Sequence, residues 1–208
     1  MRIRCHHICP TYLDQSTIDR SEIWDRSIEL DPSSGTIVWG PSGRGKSTFL
    51  RILYGLERRF TGSLTLGDSS PADWPFIREQ NIAFVSQDFH LFEEESGWNN
   101  LGYLPARHPS VSDSTIGQWS EVLGIPQVLD RSPSSWSQGQ KQRFCLLRAL
   151  ASPFRWILLD EPVSHLDPDS ASKSMDLLLS VCEERRAGWV IAQQTADSEL
   201  QSGQTLQA

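Results

Sequence analysis

No stretch of these 208 residues approaches the ~20 consecutive apolar residues that a membrane span requires. The N-terminus, Met1-Arg2-Ile3-Arg4-Cys5-His6-His7, has no apolar core of the kind a secretory signal carries. The chain is therefore expected in the cytosol, with any membrane role exercised through a partner. Basic residues are in deficit: 19 Lys and Arg stand against 26 Asp and Glu, a formal net charge of −7. A general nucleic-acid binder needs a basic surface, so no nucleic-acid partner is expected. Arg51, Arg58 and Arg59 do cluster, but a solvated helix end explains them. Internal repeats and long low-complexity segments are absent too. Apolar content is low for a globular chain, at 38%, and the length allows one large domain or a core with an inserted subdomain.

Cysteine is scarce. Of the four, Cys5 and Cys9 flank His7, and strict strand alternation puts all three on one face. A structural zinc site wants four ligands, with a second pair downstream of the first, and none follows. Ordinary strand residues are the expectation and metal binding the alternative. In a cytosolic setting the thiols of Cys5, Cys9, Cys145 and Cys182 stay reduced.

What the chain does have is Gly40-Pro41-Ser42-Gly43-Arg44-Gly45-Lys46-Ser47-Thr48. The apolar, β-branched run Thr36-Ile37-Val38-Trp39 precedes it, and a helical apolar pattern, Phe49-Leu50 with Ile52-Leu53, follows. That is the strand, glycine loop and helix order of a P-loop. The glycines let backbone N–H groups turn inward around the β- and γ-phosphates of a nucleotide. A helix starting near Gly45 adds the positive end of its dipole. Lys46 reaches the same phosphates as a point charge, and the Ser47 hydroxyl is a Mg²⁺ ligand.

Around this loop the chain reads as α/β. Strands are expected over Arg2–Cys9, imperfectly over Glu22–Leu30, and over Thr36–Trp39, Ser63–Leu66 and Ile82–Val85. Two more follow at Trp156–Leu159, as a central parallel strand, and at Gly188–Ala192. Helices are expected over Lys46–Leu56, Ser112–Leu123, Ser137–Leu150 and Asp169–Arg185. Between Asp88 and about Ala151 the β-branched runs vanish, which reads as a helical insertion in the core. The tail after Asp197 is short, and no regulatory domain is expected to follow it. Asp160-Glu161 ends the strand Trp156–Leu159 beside the P-loop. Asp160 can there hold Mg²⁺ through water, and Glu161 can polarise a water that attacks the γ-phosphate.

Together these motifs make the chain resemble the nucleotide-binding subunit of an ATP-binding-cassette (ABC) transporter, over nearly its whole length. Gln87, in Phe84-Val85-Ser86-Gln87-Asp88, resembles that family's Q-loop glutamine. Trp136-Ser137-Gln138-Gly139-Gln140 resembles its Leu-Ser-Gly-Gly-Gln signature, and Ser164-His165-Leu166-Asp167 its D-loop. Tyr12 stands where the family usually places an aromatic that stacks on adenine. The resemblance implies a P-loop NTPase core with a mixed β-sheet, an antiparallel β subdomain and an inserted helical subdomain. Core and β subdomain would span 1–87 and 152–208, the helical subdomain 88–151, all within one ABC ATPase domain.

The resemblance also implies a Mg²⁺-dependent ATPase, peripheral on the inner face of the cell membrane, that energises a separate integral-membrane permease. Two copies, or one copy and a similar subunit, would pair head to tail. Ser137 and the Gly139 N–H would then cap the γ-phosphate held by the other copy, and Asp167 would link the two sites. Gln87 would reach Mg²⁺ and the attacking water. Trp98, with His90, Leu91 and Phe92, would line the groove that receives the permease; core packing is the plainer reading of Trp98, Trp119 and Trp136. Phe89-His90-Leu91-Phe92 resembles the lipoprotein-releasing, macrolide-efflux and cell-division branch, although small importer ATPases look similar. Soluble ABC proteins of DNA repair or translation carry coiled-coil insertions or two cassettes, and neither is visible here.

Three departures stand out. Trp136 replaces the signature leucine and Gln138 its first glycine. After Trp189–Ala192, where the family has a histidine at the γ-phosphate, stand Gln193 and Gln194, with Gln194 aligned to the switch position. Glutamine can donate a hydrogen bond but cannot become cationic. The alternative to an active ATPase is therefore a low-turnover, ATP-dependent regulatory clamp on a membrane partner.

Overall fold

The computed structural model describes residues 1–68, 70–195 and 203–208; Asp197, where the sequence tail begins, lies outside them. In chain order the strands and helices are β1 (Ile3–Pro10), α1 (Gln15–Asp19), β2 (Ser27–Leu30), β3 (Gly35–Trp39), α2 (Lys46–Leu53) and β4 (Phe60–Leu66). Then come α3 (Trp74–Gln80), β5 (Ile82–Val85), α4 (Gly97–Gly102), α5 (Asp113–Val122) and α6 (Gln138–Ala151). The chain closes with β6 (Trp156–Asp160), α7 (Pro168–Arg185), β7 (Gly188–Gln193) and β8 (Gln204–Gln207).

The strands form two sheets. β1 lies between β2 and β4, antiparallel to both. The other five run in the order β5-β6-β7-β3-β8, and every pairing among them is parallel. The expected α/β architecture is thus present, with the two kinds of pairing kept in separate sheets. Strand alternation divides the core. Trp156, Leu158, Val38, Val190 and Ala192 face α2 and, beyond it, the antiparallel sheet. Ile157, Leu159, Ile37 and Ile191 face the opposite way, into a cluster with Phe144, Leu147 and Leu150 of α6 and Leu178 of α7. α2 buries Phe49, Leu50, Ile52 and Leu53 completely, and each such side chain contributes about 1.5–3 kcal/mol by leaving water. That wedge fixes the helix, and therefore the loop before it, between the two sheets.

Helix starts follow their capping residues. Ser112 caps α5 and Ser137 caps α6, each in a reciprocal capping box, with Thr115 and Gln140 respectively. α7 begins one residue earlier than Asp169, because Asp167 is its cap and Pro168 fills the first turn. The segment between β5 and β6 contains α4, α5 and α6, the helical insertion read from the sequence.

Two sequence readings need correction. The strand expected over Glu22–Leu30 is extended only from Ser27. Residues 22–26 turn instead, with Asp25 at φ 52°, and bury Ile23 and Trp24 completely. The shared face of Cys5, His7 and Cys9 does not form either. Cys5 faces the core, whereas His7 is exposed at φ 50°. The register slips between His6 and Cys9, a β-bulge that inserts one residue and reverses the alternation. Among the described residues no three or more His, Cys, Asp or Glu side chains gather closely enough to hold a metal ion. The bulge also requires Gly62 opposite it, at φ +84°, where a Cβ would lie 2.2 Å from the His7 carbonyl oxygen.

Candidate active site

The P-loop joins β3 to α2. β3 is flanked by β7 and β8, so the loop leaves an interior strand of the parallel sheet. Pro41, Ser42 and Gly43 form its exposed crest; Gly40 is buried, and Arg44, Gly45, Ser47 and Thr48 are half-buried. Lys46 is 5% exposed and folds back along the loop. Its Nζ donates to the carbonyls of Gly40 at 2.7 Å and Pro41 at 3.0 Å, leaving one of its three protons for a ligand. Burial lowers the Lys46 pKa, and the carboxylates of Glu161 and Asp160 pull against that shift. Gly45 is the N-cap of α2 and offers no capping side chain. The first N–H groups of the helix therefore point into the loop, as an anion would need.

A residue without a sequence motif supports this cradle. Trp24 lies under it, its Nε1 donating to the Arg44 carbonyl at 3.3 Å and its ring edge-on to Phe49. Gly45 sits at φ +90° against that indole, and a Cβ there would come within 2.8 Å of Trp24 Cζ2.

Asp160 ends β6 and is 6% exposed. Burial raises its carboxyl above the usual carboxylate range. A hydrogen bond from Ser47 opposes the rise, Glu161 adds to it, and the cations of Lys46 and Arg51 oppose it. One oxygen, Oδ1, is buried with no hydrogen-bond partner among the described residues. An orphaned carboxylate oxygen beside a serine hydroxyl and a P-loop suits a hard divalent cation such as Mg²⁺, which takes carboxylate, hydroxyl and water oxygens.

Glu161 follows at φ 50°, in the left-handed region that non-glycine residues avoid. Its N–H donates to the Ala192 carbonyl at 2.9 Å, which pins it to β7. Its carboxylate accepts from Gln194 Nε2, 3.3 and 3.4 Å from the two oxygens. Gln193, its neighbour, turns its amide nitrogen into the interior with no partner among the described residues. Gln194 is thus the glutamine that reaches Glu161.

The remaining motifs stand in one chain as follows. Gln87 is exposed on the turn after β5. Just beyond it, Phe89 and His90 both have positive φ, 43° and 49°. Arg148 of α6 donates to both carbonyls, at 2.7 and 2.9 Å. Ser137 and Gly139 open α6. The Ser137 oxygen accepts from the Gln140 N–H at 3.2 Å, which leaves its own proton free to donate. A Cβ on Gly139 would meet Leu166 at 3.2 Å and the His165 carbonyl at 3.4 Å, so the signature packs against the D-loop. Asp167 accepts from Ser170 N at 3.0 Å, and these cap bonds lower its pKa. Among the described residues neither Ser137 nor Gly139 bonds to residues 40–48 of its own chain.

Tyr12 is half exposed. Its hydroxyl donates to Glu57 at 3.2 Å, and Arg59 lies 5.1 Å over one face of the ring. Stacking on a base would use the other face or displace Arg59. Trp136 is buried against Phe144, and Trp98 and Trp119 are half-buried against the same cluster. Phe92 is exposed and tilted against Tyr103, 4.6 Å between ring centres.

A profile of the family described as ABC transporter matches residues 24–164, more than half of the chain. The chain is 32% identical over 166 residues to the glutamine transport ATP-binding protein GlnQ of Bacillus subtilis, covering 76% of itself and 68% of that protein. It is 39% identical over 147 residues to the sulfoquinovosyl glycerol transport ATP-binding protein SmoE of Agrobacterium fabrum. That match takes in 68% of this chain but only 41% of SmoE, so the chain spans less than half of that relative. Among solved structures, the dimeric post-hydrolysis state of the cassette MJ0796, bound to ADP and Pi, is similar with a TM-score of 0.76 at 24% identity. The likeness covers 93% of this chain and 88% of that one.

Proposed function

Since this chain belongs to the ABC transporter family of ATP-binding cassettes, we propose that it binds and hydrolyses ATP to drive a separate integral-membrane permease. The observation that carries the reading is the unpartnered, buried Oδ1 of Asp160 in the same cradle that folds Lys46 onto Gly40 and Pro41.

The nucleotide phosphates lie on the N–H groups of residues 40–48, with Lys46 on the β- and γ-phosphates. Ser47, Asp160 and Gln87 would hold Mg²⁺, which would supply charge neutralisation. Glu161 orients and polarises a water toward the γ-phosphorus, and Gln194 steadies the Glu161 carboxylate. Water oxygen bonds to the γ-phosphorus as one of its protons passes to the Glu161 carboxylate, the bond to the bridging oxygen breaks with its electron pair left on ADP, and ADP and phosphate leave. Tyr12 stacks on the adenine. The chain acts in a homodimer or with a similar subunit. Ser137 and Gly139 of each copy close the other copy's phosphate site, and Asp167 links the two. Residues 88–151 form the signature-bearing unit, and 1–87 with 152–208 the core. Trp98 and Phe92 lie toward the permease. No described helix is long and apolar enough to cross a membrane; as the partner of a permease the chain acts peripherally, on the inner face of the membrane.

The test is Glu161→Gln protein loaded with ATP. Expected is a dimer in which Cys at 137 crosslinks to Cys at 43 of the other copy. A monomer with no crosslink overturns the reading. One observation favours a second reading: Gln194, which cannot carry charge, fits a clamp that binds ATP and turns over little. Phosphate release measured with the permease present separates them, since a clamp stays slow.

A further inference from the structure

Gln142 lies in the second turn of α6 and is 4% exposed. Both ends of its amide are used outside the helix. Nε2 donates to the Glu161 carbonyl at 2.7 Å, and Oε1 accepts from the His165 N–H at 3.3 Å. The Glu161 carbonyl also accepts from Ser164 Oγ at 3.1 Å. These bonds hold a residue that stands in the left-handed region at φ 50°, a conformation that non-glycine residues avoid. A static carbonyl bond of this kind fixes the peptide plane, and the peptide plane sets the direction in which the Glu161 side chain leaves the backbone. Arg148, two turns further along the same helix, grips the carbonyls of Phe89 and His90. One helix therefore carries the Ser137–Gly139 corner at its start, Gln142 on the Glu161 turn one turn later, and the segment after Gln87 toward its end.

We propose that Gln142 is a positioning residue for ATP hydrolysis: its single amide ties α6 to the Glu161 carbonyl and the His165 N–H, so that the pose of α6 sets the aim of the Glu161 carboxylate. This rests on the reading of Glu161 as the group that polarises the attacking water. Gln142 touches no reacting atom. Its loss should lower the rate of the chemical step without loosening ATP, because the P-loop and Lys46 are untouched.

The experiment uses the full chain with Gln142→Met, which keeps the volume and removes both bonds, and Gln142→Glu, which can regain them only when its carboxyl is neutral. Steady-state phosphate release and ATP affinity are measured for each. Expected for Gln142→Met is a kcat lower by about 10- to 100-fold, since misplacement of about 1 Å costs that much, with ATP affinity unchanged. For Gln142→Glu, the rate relative to wild type should climb as pH falls, because the protonated carboxyl can donate to Glu161 and accept from His165; Gln142→Met should show no such recovery. Wild-type kcat in both variants overturns the proposal. So does loss of folding in both, read by thermal unfolding, which would make Gln142 a core residue only. Turnover that survives in Glu161→Gln fails the reading of Glu161 instead, whatever the Gln142 variants do.

Discussion

Gln194 donates its side-chain amide to the carboxylate of Glu161, 3.3 and 3.4 Å from its two oxygens. A neutral donor holds the carboxylate in place without changing charge anywhere in the working pH range. Gln194→His puts a group there that can become cationic, and a hydrogen bond from a charged donor is stronger than a neutral one by ~1.4 kcal/mol, roughly tenfold in rate if it acts in the transition state. Turnover is therefore expected to rise in Gln194→His and to gain a pH dependence centred near the ordinary histidine value of about 6.5. Phosphate release followed from pH 6 to 8.5 in both proteins checks this. A fall in rate in the variant would remove Gln194 from the site.

Lys46 spends two of its three protons on Gly40 and Pro41. In Lys46→Ala the loop loses both internal ties and the cation that faces the phosphates. ATP affinity should drop by about 1.5–3 kcal/mol, roughly 10- to 150-fold, the worth of a charge-assisted bond. Titration calorimetry with a slowly hydrolysed ATP analogue measures it directly, and an unchanged affinity would contradict the cradle.

Much of this arrangement is legible in the sequence. Lys46, Ser47, Asp160 and Glu161 are marked by residue type, spacing and the apolar strands that precede them. The caps Ser112 and Ser137 announce α5 and α6. What was hidden had no local signal. Gln142 sits in Gln138-Gly139-Gln140-Lys141-Gln142-Arg143, which by composition is a solvated helix face; only the turn of the helix brings that one amide to Glu161. Trp24 follows Ile23 with no motif around it, in a stretch that alternates well enough to pass for a strand. The bulge at His7 defeats the period-two rule, because one inserted residue reverses every later side chain. α1 and α3, of five and seven residues, are too short for a periodic pattern to develop.

Asp160 gives a stability prediction with the sign fixed by its raised pKa. The folded protein holds the proton on this carboxyl more tightly than the unfolded chain does. Stability is therefore lost as pH rises from the ordinary carboxylate value through the raised one. The ionised form of this buried carboxyl, whose Oδ1 has no partner among the described residues, costs the nucleotide-free protein folding energy. Asp160→Asn should raise the melting temperature without nucleotide, by about 2–4 °C if the relief is near 1 kcal/mol. The same change should abolish turnover and shrink the stabilisation that Mg²⁺ and ATP confer on the wild type. Thermal unfolding with and without the two ligands, beside phosphate release, reads all three. A lower melting temperature in the ligand-free variant would mean the carboxylate is compensated after all.

Trp24 and Gly45 are coupled by a steric limit as well as by the bond from the indole to Arg44. Gly45→Ala meets two penalties: its φ of +90°, and a Cβ that would lie 2.8 Å from Trp24 Cζ2. Trp24→Leu removes the second and leaves the first, while costing less than the ~3–5 kcal/mol of truncation to alanine. The two changes are in contact, so they should not add. Gly45→Ala alone should weaken ATP binding and lower the melting temperature. In the Trp24→Leu background its further cost should be smaller by roughly 1 kcal/mol, the interaction a double-mutant cycle isolates. What remains of the cost there is the backbone term, which no change at position 24 can relieve. Strict additivity would mean that the indole does not support the loop, and that the Nε1 bond to the Arg44 carbonyl is incidental to nucleotide binding.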